Sequence, residues 1–339
     1  MTARVCTQFR CHRRHRKPPA FAAGDGGKAP AIVTGAAGFI GRWLVRELAQ
    51  NCDNVIAVVR PGGHPEWLDN RAGVKVIECG LHEYGRLPAL AGPQKQSVFY
   101  HLAWAGIAGP SRSDPVVHLG NVEAAGQAVQ AAIGIGCSRF VGVGSLREYE
   151  ALAELDADRL EVSPSCIYGE GKHFARFYTK ALAVQGGLEH VWTVLSNVYG
   201  EGDTSLRFII NTTLHKILHH EPLEFTSGTQ LYDFIHVEDT ARALAAIGKF
   251  GVSGYSYIVG TGKPRPLREY IEKMGTLFAP ERELRFGDMP YSGISLPADR
   301  FSVKKLTEDT GFVPKVLFGE GIKRTMEWIK NREAGNEKI

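Results

Sequence analysis

Three residues have the types and spacing of a proton-relay site: Ser145, Tyr168 and Lys172. Tyr168 and Lys172 stand four apart, so on a helix they share one face. Ser145 closes the run Arg139-Phe-Val-Gly-Val-Gly144, which reads as a buried strand, and Tyr168 follows 23 residues later. A phenol with a reference pKa of ~10 is a poor base at neutral pH. A nearby ammonium favours the phenolate, so Lys172 is expected to draw the Tyr168 pKa down. Tyr168 could then give or take a proton at a substrate oxygen as hydride moves at the attached carbon, with Ser145 holding that oxygen. Tyr-x-x-x-Lys alone is common, and a surface Tyr–Lys pair is the plain alternative; the rest of the chain decides between them.

A hydride site needs a dinucleotide, and Ala31 to Gly41, AIVTGAAGFIG, has the form to bind one. Ala31, Ile32 and Val33 read as a buried strand end, Gly35 opens a turn, and Arg42 to Ala49 suits an amphipathic helix. Gly35 permits the turn, Gly38 lets the backbone approach a pyrophosphate, and Gly41 lets helix pack on strand. Phe39, Ile40 and Gly41 lie where a helix N-terminus presents N–H groups to phosphates. A second strand, Asn54 to Val59, ends at Arg60, where an NAD-binding fold usually places Asp or Glu on the ribose 2′-hydroxyl. A guanidinium instead pairs with a 2′-phosphate, and Arg42 adds a second positive charge, so NADP(H) is favoured with NAD(H) open.

The Gly-x-x-Gly-x-x-Gly spacing and the TGAAGFIG string resemble the extended branch of the short-chain dehydrogenase/reductases, the NAD(P)-dependent epimerase/dehydratase family of nucleotide-sugar enzymes. Pro164-Ser-Cys-Ile-Tyr-Gly-Glu-Gly-Lys172 is similar to that family's P-x-S-x-Y-G-x-S-K string, and Leu231 to Asp239 to its R-D-F-I-H-V-x-D segment. The resemblance covers residues 29–331. It implies an α/β fold: a Rossmann-type doubly wound parallel sheet over 29–187, then a smaller C-terminal substrate lobe over 188–339 that interleaves with the first domain. It implies cofactor contacts from Leu81 after the third strand, from Leu102, Ala103 and Trp104 after the fourth, and from Lys172 to the nicotinamide ribose. Asn121, within a helix read over 114–136, matches an Asn that ties helix to sheet. Ser145, Asn197 and Tyr232 are the implied substrate contacts. Two positions depart from the pattern, Val194 and Tyr232 standing where the family has Arg, and Gly80 stands where an adenine-binding Asp is expected. Helices near 114–136 and 168–187 imply a four-helix homodimer interface.

The residues after Ser145 bear on the reaction. Family 4,6-dehydratases carry Asp-Glu there, and this chain has Leu146-Arg147, of which leucine can neither donate nor accept a proton. The Gly-Ser-x-x-Glu-Tyr segment at 144–149 resembles reductases similar to CDP-abequose and CDP-paratose synthases. The favoured reading is reduction of a nucleotide-linked 4-keto-6-deoxyhexose at C4 with Tyr168 as proton donor. An NDP-sugar 4-epimerase with tightly held NAD(P) is the alternative, and a non-catalytic dinucleotide sensor the second.

Composition bounds the rest. The chain's 339 residues and 44% apolar content suffice for one large core or two lobes, and no apolar run reaches the ~18–20 residues of a membrane span. The formal net charge of +4 is uneven, since residues 1–28 carry seven Lys/Arg against Asp25 alone. That segment reads as a disordered basic tail, and the near-neutral remainder offers no footprint for nucleic acid. Six cysteines without C-x-x-C spacing fit a reduced, cytoplasmic protein. His219-His220 are adjacent, so their side chains diverge on a helix, and the pair reads as surface residues rather than a metal site.

Overall fold

The computed structural model describes residues 30–51, 54–63, 65–68, 71–154, 166–205, 208–291 and 293–335. The basic tail, Cys6, Cys11, Cys52, Pro164 and Ser165 lie outside them. The short apolar runs become strands buried on both faces: β1 (Ala31–Thr34) and β2 (Val55–Val59) are buried at every position. With β3 (Val74–Glu78), β4 (Val98–His101), β5 (Arg139–Ser145), β6 (Glu189–Leu195) and β7 (Ser256–Val259) they form one seven-stranded sheet. The strand order is β7-β6-β5-β4-β1-β2-β3 and every pairing is parallel. The order reverses between β1 and β4, and a doubly wound sheet opens its ligand crevice at that point.

Helices cover both faces. The Gly35–Gly41 turn leads into α1 (Phe39–Asn51), whose Leu44, Val45 and Leu48 join the strands and Ala243, Leu244 and Ile247 in one core. On the other face α2 (Pro115–Ile135) packs with Ala128, Val129 and Ala132 against Ile32, Phe99 and Phe140. Fully burying a Val, Leu, Ile or Phe side chain contributes about 1.5–3 kcal/mol. Both ends of α2 are written locally. The Asp114 side chain accepts from the Val116 and Val117 N–H groups, and Gly136 ends the helix at φ +88°. After β5 come α3 (Arg147–Glu154), which the sequence reading did not anticipate, and α4 (Cys166–Gln185).

Beyond β6 the chain builds a separate apolar cluster. It joins α5 (Ile209–Leu218), α7 (Leu267–Phe278) and α9 (Phe318–Glu333) through Leu214, Ile271, Met274, Ile322 and Ile329. Between these elements it returns to the main sheet with α6 (Val237–Phe250) and β7, and α8 (Lys304–Thr310) adds Leu306 to that core. Helix α6 starts at Val237 with His236 as its cap. Asp239 accepts from the Lys315 and Val316 N–H groups, at 2.9 and 2.8 Å. Asp233 braces its loop, accepting from Thr261 N–H and Gly262 N–H, each at 2.9 Å. Among the described residues no helix is long and apolar enough to cross a membrane.

Candidate active site

The glycine turn packs as its spacing requires. Gly35 has φ +69°, and a Cβ there would stand 2.9 Å from the Ala103 nitrogen, so only glycine lets β1 and the end of β4 approach so closely. A Cβ on Gly41 would collide with the Gly35 carbonyl oxygen, which is why helix α1 can begin so tightly against the strand. Phe39, Ile40 and Gly41 form its first turn at the crevice. This cradle fits a dinucleotide pyrophosphate: a helix N-terminus at the strand-order reversal, with backbone in place of side chains. Leu102 N–H donates to Thr34 O at 3.3 Å and Ala103 N–H to Thr34 Oγ1 at 3.4 Å, lining β4's end against the turn. Leu81 opens the short helical segment after β3, where Gly80 N–H donates to Glu83 Oε2 at 2.9 Å. Arg60 is exposed at the end of β2. Arg42 donates to Ala37 O at 3.5 Å, and its side chain runs past Gly202.

Ser145, Tyr168 and Lys172 converge. Ser145 is the last residue of β5, and its hydroxyl faces the Tyr168 phenol and favours the phenolate. Lys172, one turn along α4, is buried and donates to Val143 O at 2.7 Å, with its Nζ 3.8 Å from the Trp104 ring centroid. Burial pushes the Lys172 ammonium down to about 7, partly offset by Glu148.

Lys172 is not the charge that draws the Tyr168 pKa down, contrary to the expectation from their spacing. Burial pushes its phenol up, and the foremost opposing charge is Arg112 rather than Lys172. The Arg112 guanidinium lies 4.3 Å from the Tyr168 ring centroid, whereas the Lys172 ammonium is turned to a carbonyl and an indole face. Arg112 is held by its own donation to Ile107 O at 2.7 Å and by His118, whose Nε2 lies 2.8 Å from Arg112 O. Trp104 Nε1 donates to His118 Nδ1 at 3.2 Å, so the His118 proton sits on Nε2 and donates to that carbonyl. The His118 ring meets Tyr168 edge-on at 5.6 Å. Asn121 ties its helix to the loop after β4 rather than to the sheet itself: it accepts from Ala105 N–H at 2.8 Å and donates to Ala105 O at 2.9 Å.

Glu148 completes the scaffold. Fully buried, its Oε1 accepts from Ser145 N–H at 3.0 Å and from the Trp192 indole at 3.1 Å, and Arg176 stands 3.9 Å from Oε2. Burial pushes its carboxyl up. Arg112, His118 and Glu148 were missed as site residues. Glu148 had a signal as the Glu of the Gly-Ser-x-x-Glu-Tyr segment, and His118 lies three residues before Asn121 on α2.

Asn197 and Tyr232 meet in one cleft beside the trio, with Leu146, Glu150 and Tyr291 on its walls. Asn197 N–H donates to Asp233 O at 3.1 Å, and Tyr232 stacks on Phe234 at 5.4 Å. Arg147 pairs with Glu150 at the cleft wall.

A parallel sheet with a glycine cradle at its strand-order reversal and a Ser–Tyr–Lys trio at the same crevice defines a dinucleotide-dependent enzyme. The chain belongs to the NAD dependent epimerase/dehydratase family, whose model matches residues 31–260. It is 30% identical over 248 residues to a dTDP-6-deoxy-L-talose 4-dehydrogenase (NAD(+)) of Aggregatibacter actinomycetemcomitans, covering 71% of this chain and 88% of that one. It is 24% identical over 342 residues to the dTDP-glucose 4,6-dehydratase of Escherichia coli, covering 89% and 94%. Among solved structures, the fold matches the Thermotoga maritima UDP-glucose 4-epimerase with UDP-glucose. That match has TM-score 0.75 and 21% identity, over 90% of this chain and 99% of that one. It also matches Bordetella bronchiseptica WbmF in complex with NADH, with TM-score 0.74 and 24% identity over 91% and 94%.

Proposed function

We propose that the chain transfers hydride at a single carbon of a nucleotide-activated sugar, reducing a 4-keto-6-deoxyhexose at C4 with Tyr168 as proton donor. The observation that carries this reading is the state of the groups around Ser145. An elimination needs a free acid or base beside the serine, and Leu146 cannot serve. The nearby carboxylates are engaged, Glu148 by Ser145 N–H and Trp192, Glu150 by Arg147. One phenol with one hydroxyl suits proton exchange at one oxygen. The relative named as a 4-dehydrogenase, at 30% identity, acts by its name at the same carbon.

The bound dinucleotide supplies the hydride. Gly35, Gly38, Phe39, Ile40, Gly41, Leu81, Leu102, Ala103, Trp104 and Lys172 hold it in this reading, with Arg60 as the 2′-phosphate partner that favours NADP(H). Tyr168 gives its proton to the C4 oxygen, Ser145 orients that oxygen, and Asn197 and Tyr232 line the sugar-nucleotide side. The apolar residues exposed on α2 and α4 (Val116, Leu119, Phe174, Phe177 and Val184) suit a homodimer through these helices. A 4-epimerase would use the same trio, and the fold match to a UDP-glucose 4-epimerase supports that second reading.

Reduced-cofactor oxidation by the purified chain tests this, with CDP- and dTDP-4-keto-6-deoxyglucose offered separately and NADPH compared with NADH. Stoichiometric oxidation with one of them is expected, and Tyr168→Phe lowers turnover at least about a hundredfold while binding persists. Arg60→Ala weakens NADPH at least about tenfold and leaves NADH unchanged, since each lost charge-assisted contact is worth about 1.5–3 kcal/mol. No net oxidation, together with cofactor released on denaturation and interconversion of C4 epimers, would replace the reductase by the epimerase. Better use of NADH by the unaltered chain would refute the role of Arg60.

A further inference from the structure

The C-terminal helix meets α5 at a cluster that the dinucleotide site does not use. His215 lies in the last turn of α5, His219 caps its end, and Glu333 is the last residue of α9. His219 and His220 are both exposed and diverge, as their adjacency implies. His220 leaves the helix at φ +56°, while His215 and His219, four apart, bring their rings to 4.2 Å between centroids. Both imidazoles present Nε2 to one carboxylate, His219 at 3.2 Å from either Glu333 oxygen and His215 at 3.9 Å from Oε1. Ligand atoms of all three residues lie within 4.8 Å of one another.

We infer that His215, His219 and Glu333 form a site for a first-row divalent cation, Zn²⁺ foremost, that clamps α9 to α5. Zinc holds imidazole nitrogen at about 2.0–2.1 Å and carboxylate oxygen at about 2.0–2.2 Å, so tetrahedral ligands stand about 3.3 Å apart. The His219–Glu333 separation of 3.2 Å already meets this, and the His215–Glu333 separation of 3.9 Å exceeds it by about half an ångström. Two His four apart on one helix face plus a carboxylate from another element is a zinc donor set with a fourth position left for water.

Two further observations point the same way. Glu221 Oε1 stands 3.8 Å from His215 Nδ1, the ring edge away from Glu333, where metal-binding imidazoles commonly find an orienting carboxylate. His215 and Glu333 also border a cavity shared with Asn211 and Trp328. There the acceptor Asn211 Oδ1 is buried without a hydrogen-bond partner among the described residues. The site shares no residue with the Ser145–Tyr168–Lys172 crevice, so its role is to fix the C-terminal helix.

The full chain, made without a polyhistidine tag and stripped with chelator, is titrated with Zn²⁺ by calorimetry and with Co²⁺ by visible absorption. One equivalent is expected to bind, with a ligand-field band for Co²⁺, and the melting temperature should rise by about 5 °C at a hundredfold excess over Kd. His219→Ala and Glu333→Gln each weaken Zn²⁺ at least about tenfold while dinucleotide binding, the check on folding, is retained. Affinity falls as pH drops from 7 to 5, because the ligands must be deprotonated. Absence of binding at micromolar Zn²⁺ would overturn the inference. So would affinity unchanged in both variants, or affinity lost instead on replacing His12 and His15 of the N-terminal segment.

Discussion

Replacing Arg112 by Leu tests what sets the proton affinity of Tyr168. The guanidinium carbon is 4.3 Å from the ring centroid. A charge spread over a phenolate ring at that distance interacts with it by about 4 kcal/mol at an effective dielectric near 20. That corresponds to about 3 pKa units. Arg112 is partly exposed, so solvent screening reduces the effect, and about 1–2 units remain. Leu keeps the apolar contact with the ring and removes the charge. The phenolate absorbance of each protein is titrated against pH, and the Tyr168→Phe counterpart is subtracted to isolate one of the 11 tyrosines. The Tyr168 transition is expected to move up by about 1–2 units in Arg112→Leu and to return most of the way in Arg112→Lys. A transition that stays in place in Arg112→Leu would refute Arg112 as the controlling charge. A fall toward neutral pH would show that the guanidinium opposes ionisation.

Lys172, held at about 7 against the 10.5 ordinary for a lysine, carries fewer protons folded than unfolded between those two pH values. It therefore makes folding stability rise with pH across that window, by up to about 1.4 kcal/mol per pH unit. Lys172→Met removes this slope, as urea midpoints at pH 7, 8 and 9 report; an unchanged slope contradicts the burial argument. Gly41→Ala places a methyl against the Gly35 carbonyl, so α1 must shift from β1. About 1–3 kcal/mol of stability is expected to be lost, together with at least about tenfold in dinucleotide affinity by fluorescence quenching. Full retention of affinity would mean that the turn does not hold the pyrophosphate.

Much of the crevice was legible in the sequence because its devices are short-ranged. The strand–turn–helix at 31–51, the Asp114 cap, the Gly136 stop and the Tyr168–Lys172 face each depend on residues within a few positions of one another. Hydrophobic runs and glycine spacing encode such units directly. The first two strands followed from the same runs, since a strand buried on both faces, as these are, is continuously apolar.

What tertiary structure alone decided lies in the long-range contacts. Arg112 reaches Tyr168 across 56 positions, Trp192 reaches Glu148 across 44, and Glu333 reaches His219 across 114. None has a periodic signature, because each arises where separate elements happen to pack. The sequence named the phenol and the ammonium, yet assigned the electrostatic work to the residue nearest along the chain. The fold gives it to Arg112, because Lys172 is turned into the protein to satisfy the Val143 carbonyl, and a buried ammonium takes the partner that hydrogen-bonds it best.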